Sequence, residues 1–513
     1  MTAHPSTNAF DVIVIGSGMG GMTTAAALSR LDHKVLLLEQ APAIGGLTHS
    51  FSRNGFSWDV GLHYCGTFGH DQPAGRILDW LSGGTIEFHS VGTVYDTLHF
   101  PDEFEISVGR PADAYKMELK DRFPDNVAEI DAYFEALLSA EEACHMVGAE
   151  RVIPEPFRSA HHWWNKRKIQ RWCGRTTDEV ISELVSNPKL ASVLSAQWGT
   201  YGGKPKEASF AFHATVMGHY LEGAGYPVGG AAAIAKGLVP VIEAAGGSAR
   251  AQTSVSEIVI EDDQAVGVKT RTGEVFRAPR IVSAIGAAET VKHLLPEAIR
   301  EHDWAQEITT FKPSLCHFDL FLGFEGEIAR HGATRSNHWF YENWDTSDAI
   351  WMPAEDGSIP MMFVSFASLK DPSHDPGPAN KYSGDLLVWA DWPSVSEVAA
   401  RGDDEWAAFK QSVESKMMAH FEKQFPDLAP LVVYRELGTP LATVSFTGHD
   451  KGAFYGVETT PRRILSDAFN ARTPVPGLFL SGQDVMSPGI AGALAGGMFS
   501  AAAIDPRVLQ HLR

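Results

Sequence analysis

Residues 59–66, Asp-Val-Gly-Leu-His-Tyr-Cys-Gly, set His63, Tyr64 and Cys65 between Gly61 and Gly66. An imidazole beside a phenol suits general acid–base work. His-x-Cys with no partner pair is too sparse for zinc, so no metal is expected. Further histidines and tyrosines able to donate a proton are His219, Tyr220, Tyr226 and Tyr455. Each of these residue types also serves commonly as a buried hydrogen-bonding group, and that structural role competes with catalysis at every position. Cys65 reads as inert.

A loop of this kind needs a scaffold, and residues 10–40 supply the start of one. An apolar strand, "DVIVIG", runs into Gly16, Gly18 and Gly21 in G-x-G-x-x-G spacing, then an alanine-rich helix and a second strand ending at Glu39. Gly16 makes the tight turn, Gly18 admits a pyrophosphate to the backbone, and Gly21 lets helix and strand pack closely. The helix N-terminus offers unpaired N–H groups to the phosphates, and Glu39 can accept from a ribose. With strands, helix and acid all in place, a dinucleotide site is expected. No second fingerprint of this type occurs, so a separate nicotinamide domain is not.

Beyond Glu39 a glycine pair follows, Gly45-Gly46, and near the C-terminus "PVPGLFLSGQDVMSPGIAGALAGG" carries Gly482, Asp484, Gly489 and Ala491. In both places the chain resembles the large FAD-containing amine oxidase and carotenoid desaturase superfamily. The resemblance implies FAD, with the glycine pair against the cofactor and Asp484 on its ribityl chain or pyrophosphate. The helix opening at Gly489 would then point its positive end at the flavin's N1–C2 region. It also implies that backbone near Val255 touches the adenine. The stretches "YPVGGAAAIAKGLVPVIEAAGG", "DVGLHYCG" and "SGQDVMSPGIAGALAGG" are most similar to the retinol saturase branch of the phytoene desaturase and carotenoid isomerase family. That branch implies oxidation or reduction of a carbon–carbon double bond in a long apolar isoprenoid, retinoid or carotenoid-like substrate, with a saturase foremost. A carotenoid isomerase or desaturase, and a saturase or desaturase of unsaturated fatty acyl lipids, share the scaffold. Saturation of a polyene calls for a proton donor at the flavin, and His63, Tyr64, His219, Tyr226 and Tyr455 are the candidates. A separate electron donor or acceptor is required. A non-enzymatic lipid escort of the GDP-dissociation-inhibitor kind is the rival of another class, and the intact glycines, Glu39 and Asp484 speak against it.

The fold these features imply is α/β: a Rossmann-type FAD-binding domain with an inserted α+β substrate domain on a mixed or antiparallel sheet. The first is expected to be discontinuous, from 1–69, 223–300 and 457–513, and the second to comprise 70–222 and 301–456. In the latter, "SLCHFDLFLGF", "PMMFVSFASL" and "DLLVWADW" read as apolar strands. The aromatic residues Trp339, Phe340, Tyr341, Trp344, Trp351, Trp389 and Trp392 fill a core or line an apolar tunnel. Residues 158–175 hold six Lys/Arg, three tryptophans and no acid. They read equally as a solvated basic helix with its tryptophans packed inward and as a peripheral membrane contact.

The 513-residue chain is long enough for such an arrangement, and its net charge of −21 excludes nucleic acid as a bulk partner. Four scattered cysteines suggest a reducing compartment. No apolar leader or membrane span is apparent, and a cytoplasmic protein with optional peripheral membrane association is expected.

Overall fold

The computed structural model describes residues 10–153, 157–353 and 357–512. Residues 1–9, which carry most of the segment read above for a leader, lie outside them. Five short strands form a parallel sheet in the order Ser248–Arg250, Val35–Leu38, Val12–Ile15, Ile281–Ser283 and Leu478–Leu480. All but the outermost, Ser248–Arg250, are completely buried, as a sheet covered on both faces requires. The helix Met19–Ser29 leaves the central strand and packs between the helices Gly489–Ile504 and Ala232–Ala244. The first two of these helices both close on the main chain at Gly482, and Thr24 Oγ1 donates across them to the Gly497 carbonyl at 3.0 Å. A Cβ at Gly20 would lie 2.4 Å from the Cα of Gly482, and one at Gly496 would lie 2.1 Å from the carbonyl oxygen of Gly482. Residues nearly five hundred positions apart are thereby drawn to one edge of the sheet.

The second layer is a seven-stranded mixed sheet, ordered Val432–Gly438, Cys316–Glu325, Lys381–Ala390, Met361–Ser365, Asn337–Tyr341, Val94–Phe100 and Phe104–Gly109. Every neighbouring pair is antiparallel except Asn337–Tyr341 with Val94–Phe100. Two elements differ in extent from the sequence reading. The strand Met361–Ser365 stops early and turns into the helix Ala367–Lys370, while Lys381–Ala390 begins four residues before Asp385. The hairpin Val255–Glu261 and Gln264–Thr270 gains a third strand, Val275–Arg277.

A small hairpin, Ser50–Arg53 with Phe56–Asp59, lies over the strand Cys316–Glu325. Phe51 meets Phe321 edge-on at 4.9 Å, and the Trp58 indole N–H donates to the Leu322 carbonyl at 3.0 Å. This hairpin delivers loop 59–66 to the seven-stranded sheet. The strand Cys65–Gly66 then pairs with Ala224–Pro227, so the loop is pinned at both ends. The basic segment forms the helix Phe157–Cys173, and its tryptophans divide. Trp172 is buried, whereas Trp163 and Trp164 are 74% and 80% exposed. Inward packing thus accounts for one of the three. No helix among the described residues is long and apolar enough to cross a membrane.

Candidate functional site

A cavity of about 890 Å³ runs from the C-terminal edge of the parallel sheet to the face of the seven-stranded sheet. At its first end Gly16, Gly18, Glu39, Gly46, Gly482 and Gly489 line the wall, with Val255 and Asp484 nearby. Gly16 takes φ +91°, and a Cβ there would press 2.8 Å from Ile285. Gly18 differs, since a Cβ on it would meet nothing within 4 Å of the protein. Its bareness therefore serves the cavity rather than the packing. The helices Met19–Ser29 and Gly489–Ile504 both begin at this wall with no side-chain cap and no acid in the first turn. The Gly489 N–H donates to Gln483 Oε1 at 3.2 Å. The other first-turn N–H groups and two positive dipole ends face the same space, an arrangement suited to a pyrophosphate and to a ring that gains negative charge on reduction.

The acids of this end are held firmly. Glu39 accepts from the Ser17 N–H and hydroxyl at 2.9 and 2.6 Å and from the Ala41 N–H at 2.9 Å. Asp484 accepts from the N–H groups of Ala287 at 2.8 Å and Val457 at 3.2 Å. The buried Arg463 reaches to 3.8 Å from Asp484 and donates to the carbonyls of Val457 and Gln483, which braces this wall. Gly21, Gly45 and Ala491 lie behind the cavity surface. A Cβ on Gly21 would lie 2.0 Å from the Gly16 carbonyl oxygen, so Gly21 acts through packing, and the Gly45 N–H donates to Ser17 Oγ at 2.9 Å.

The other end is apolar, walled by Trp339, Phe363, Leu387, Trp389, Leu315 and Phe321. Of the aromatic residues singled out in the sequence, Trp339 and Trp389 reach it, whereas Phe340 and Trp351 fill a separate core on the far side of the sheet. His63, Tyr64 and Tyr455 line the cavity, joined by Tyr220. His219 and Tyr226 do not. Burial pushes the His219 imidazole down to about 4. The Tyr226 hydroxyl donates in a short bond to Asp59, whose carboxylate also takes the Ala231 N–H at 3.0 Å. Burial lifts Cys65 well above the usual thiol range, which keeps it protonated and unreactive.

Loop 59–66 rests on a buried polar row that sequence reading did not find. The Tyr64 hydroxyl donates to Asp96 at 2.8 Å, and Asp96 also accepts from Asn337 at 2.9 Å and Gln197 at 2.5 Å. Lys370 donates from Nζ to the His63 carbonyl at 2.9 Å, to Ser365 Oγ at 2.7 Å, and to Asn337 Oδ1. Burial pushes Asp96 up to about 6 and Lys370 down to about 7. The His63 ring meets Phe363 edge-on at 5.2 Å, its Nδ1 lies 3.5 Å from Asp385 Oδ2, and neither ring nitrogen has a hydrogen-bond partner. Further along, His317 and Asp319 stand on the cavity wall. The signal for them was present: in "CHFDLFLGF" a histidine and an acid occupy alternate positions of an otherwise apolar strand, on the face that carries Phe321. No group of three or more His, Cys, Asp or Glu among the described residues is arranged to hold a metal.

The flavin-containing amine oxidoreductase profile matches residues 19–505. The chain belongs to that family. Rat all-trans-retinol 13,14-reductase is 30% identical over 97% of this chain and 86% of its own length. Prolycopene isomerase 1 of an Oncidium hybrid cultivar is 26% identical over 94% of this chain and 81% of its own. Among solved structures, cyclohexylamine oxidase from Brevibacterium oxydans IH-35A superposes with a TM-score of 0.63 at 16% identity, covering 98% of this chain and 100% of that one. The retinol saturase-like placement and the α/β flavoprotein fold stand on these matches, and the cofactor of this flavin-containing oxidoreductase is FAD. The bare glycine cradle and the two uncapped helix N-termini fit that cofactor.

Gly18→Ala should leave the unfolding free energy of the cofactor-free chain within about 0.5 kcal/mol of wild type, yet weaken FAD binding tenfold or more, about 1.4 kcal/mol. Gly496→Ala should instead destabilise the cofactor-free chain by about 1–3 kcal/mol. Denaturant unfolding and flavin fluorescence titration read the two effects, and equal behaviour of the variants would refute the division. For Lys370, the buried amine binds its proton less readily than an exposed lysine. Between about pH 7 and about pH 10 the unfolded chain therefore holds more protons than the folded one, and through this group stability rises with pH. The stability difference between wild type and Lys370→Met should widen across that window, and a constant difference would contradict it.

Proposed function

We propose that this flavoprotein reduces a carbon–carbon double bond of a long apolar substrate of isoprenoid, retinoid or carotenoid kind. The observation that carries the reading is the continuity of the dinucleotide cradle with an aromatic, apolar chamber closed over by the seven-stranded sheet. Such a chamber excludes water and gives an extended hydrocarbon a large buried contact area. Bound FAD supplies the hydride chemistry, drawing its electrons from a separate donor. The chain's own part is to hold the substrate, keep the site dry and manage a proton. The Tyr64 hydroxyl is committed to Asp96 and the Tyr226 hydroxyl to Asp59, which assigns both to positioning the loop. Of the five sequence candidates, His63 keeps a side chain without a hydrogen-bond partner at the cavity wall. The retinol reductase relative supports saturation.

The prolycopene isomerase relative supports a second reading, in which the same chamber isomerises a polyene. Anaerobic incubation of the photoreduced protein with all-trans-retinol and with prolycopene, followed by mass spectrometry, separates them. Saturation gains two hydrogens, isomerisation leaves the mass unchanged, and the oxidised protein removes two hydrogens if it desaturates. A mass gain of two hydrogens on either polyene is the expected result. The same assay with an unsaturated fatty acyl lipid covers the remaining alternative.

The helix Phe157–Cys173 is the membrane-contacting element in this reading, since Phe157, Trp163 and Trp164 stand exposed among its basic residues. The setting is cytoplasmic, in keeping with four free, buried cysteines. The protein should float with phosphatidylserine-containing vesicles and less with neutral ones. The double change Trp163→Ala/Trp164→Ala should lower that binding about tenfold or more, and flotation unaffected by it would remove the membrane role.

A further inference from the structure

The apolar chamber has one polar corner whose groups have nothing to bond. In the seven-stranded sheet Asp319 opposes Leu387 and Phe321 opposes Asp385, so the two acids are diagonal neighbours on one face of an antiparallel pair. That relation puts side chains roughly 5–8 Å apart. Asp319 is 3% exposed and Asp385 1% exposed. None of their four carboxyl oxygens has a hydrogen-bond partner. Two bare carboxylates in an apolar wall would each carry a large desolvation cost and would repel one another, so the pair retains a proton. Burial first, then the charge of Asp385, hold the Asp319 carboxyl well above the usual carboxylate range.

The groups packed around this corner are consistent with a proton held there. On the same strand His317 is neutral, pushed down to about 4 by burial and by His63. From loop 59–66, His63 Nδ1 stands 3.5 Å from Asp385 Oδ2. Lys370 and Asp59 also act on Asp385 through their charges, from the helix Ala367–Lys370 and from the small hairpin. On the strand Val432–Gly438, Glu436 is engaged by the Tyr434 hydroxyl at 2.6 Å. Asp319 lines the cavity while Asp385 sits behind it. Tyr455, the phenol left at the cavity, is lifted far above its usual range by burial and holds its proton too tightly to be an effective acid.

We propose that Asp319 is the acid that protonates the substrate, with Asp385 and His63 behind it as the pair that returns its proton. The inference rests on the saturase reading and deepens it. One alkene carbon takes a hydride from the dihydroflavin, and its neighbour takes the proton as the Asp319 O–H bond breaks. The π bond is consumed and two C–H bonds form. The substrate gains two electrons, the flavin loses two, and Asp319 stays a carboxylate until a proton arrives by way of Asp385 and His63.

Two measurements test this. Infrared difference spectroscopy of the cofactor-stripped wild type against Asp319→Asn cancels other buried acids such as Glu141, pushed up to about 7 by burial. At neutral pH it should show the carbonyl stretch of a protonated carboxyl that shifts in heavy water. Asp385→Asn should make that band titrate away at lower pH, since the neighbouring negative charge is gone. In the reduced holoenzyme, Asp319→Asn should cut saturation of all-trans-retinol by about 10²- to 10⁴-fold, with retinol affinity changed less than about threefold. Turnover within about threefold of wild type would overturn the assignment, as would absence of the band in the wild type. A loss confined to retinol affinity would make Asp319 a head-group contact instead. A wild type that reduces neither retinol nor prolycopene would overturn the saturase reading, and the proton transfer with it, even with the band present. If Asp319→Asn does not fold, the band's titration in wild type and Asp385→Asn decides the matter, and a band that Asp385→Asn leaves unmoved counts against the pair.

Discussion

The structure depends on backbone touching backbone at one edge of the parallel sheet. Gly20 against Gly482, Gly496 against Gly482, and Gly21 against Gly16 are contacts at which a single Cβ would lie 2.0–2.4 Å from main-chain atoms. With those side chains absent, the first helix and the last helix of the fold can start from the same wall. Each brings first-turn N–H groups and a positive dipole end, which suit a dinucleotide bearing two phosphates and a ring that gains negative charge on reduction. A cradle shared between the chain's two ends also explains why the rest of the protein is inserted between them. The seven-stranded layer stands over the mouth of a cradle it does not itself build and supplies the apolar end of the same cavity.

That inserted layer needs a clamp, and loop 59–66 is where it is applied. Its flanking strands belong to different small sheets, Phe56–Asp59 in one and Cys65–Gly66 in another. Between them Lys370 holds the His63 carbonyl and Asp96 holds the Tyr64 hydroxyl. Buried polar networks of this kind are costly if any member is left unpaired, so the well-bonded ones specify position rather than add much stability. The consequence here is orientational: with its carbonyl tied to Lys370, His63 has its ring directed at Phe363 and Asp385.

The nucleotide-binding half was legible because its constraints are local. Glycine spacing, an alanine-rich helix and a terminal acid fall within thirty residues, and each has a backbone reason that survives without tertiary information. The family resemblance carried the cofactor and the C-terminal wall. The chamber was less legible, because its chemistry depends on cross-strand register. Nothing local relates Asp319 to Asp385 or Asp96 to Asn337; they become neighbours only once strands from residues 94 to 390 are ordered in a sheet. Exposure was equally opaque for residues 158–175, where the helical period does not say which face a neighbouring helix will cover. Two of three tryptophans were left outside by the helices Val127–Glu150 and Phe210–Tyr220 that pack there.

Register also separates the acids that build the site from the one suited to act in it. Across the sheet face that walls the cavity, Leu387 pairs with Phe363, Phe363 with Trp339, and Trp339 with Leu98, an unbroken apolar row. Two residues along each strand runs the polar row, in which Asp385 pairs with Ser365 and Asn337 with Asp96, with Lys370 bridging Ser365 and Asn337. Asp96 sits at one end of that row with three donors and is structural. Asp319 opposes Leu387 and so terminates the apolar row, facing substrate space with no donor at all. A residue placed there for stability would be leucine or phenylalanine, since burying an unpartnered carboxyl costs a few kcal/mol without any compensating contact. The position makes physical sense if the acid is kept neutral and its proton is what the chamber needs.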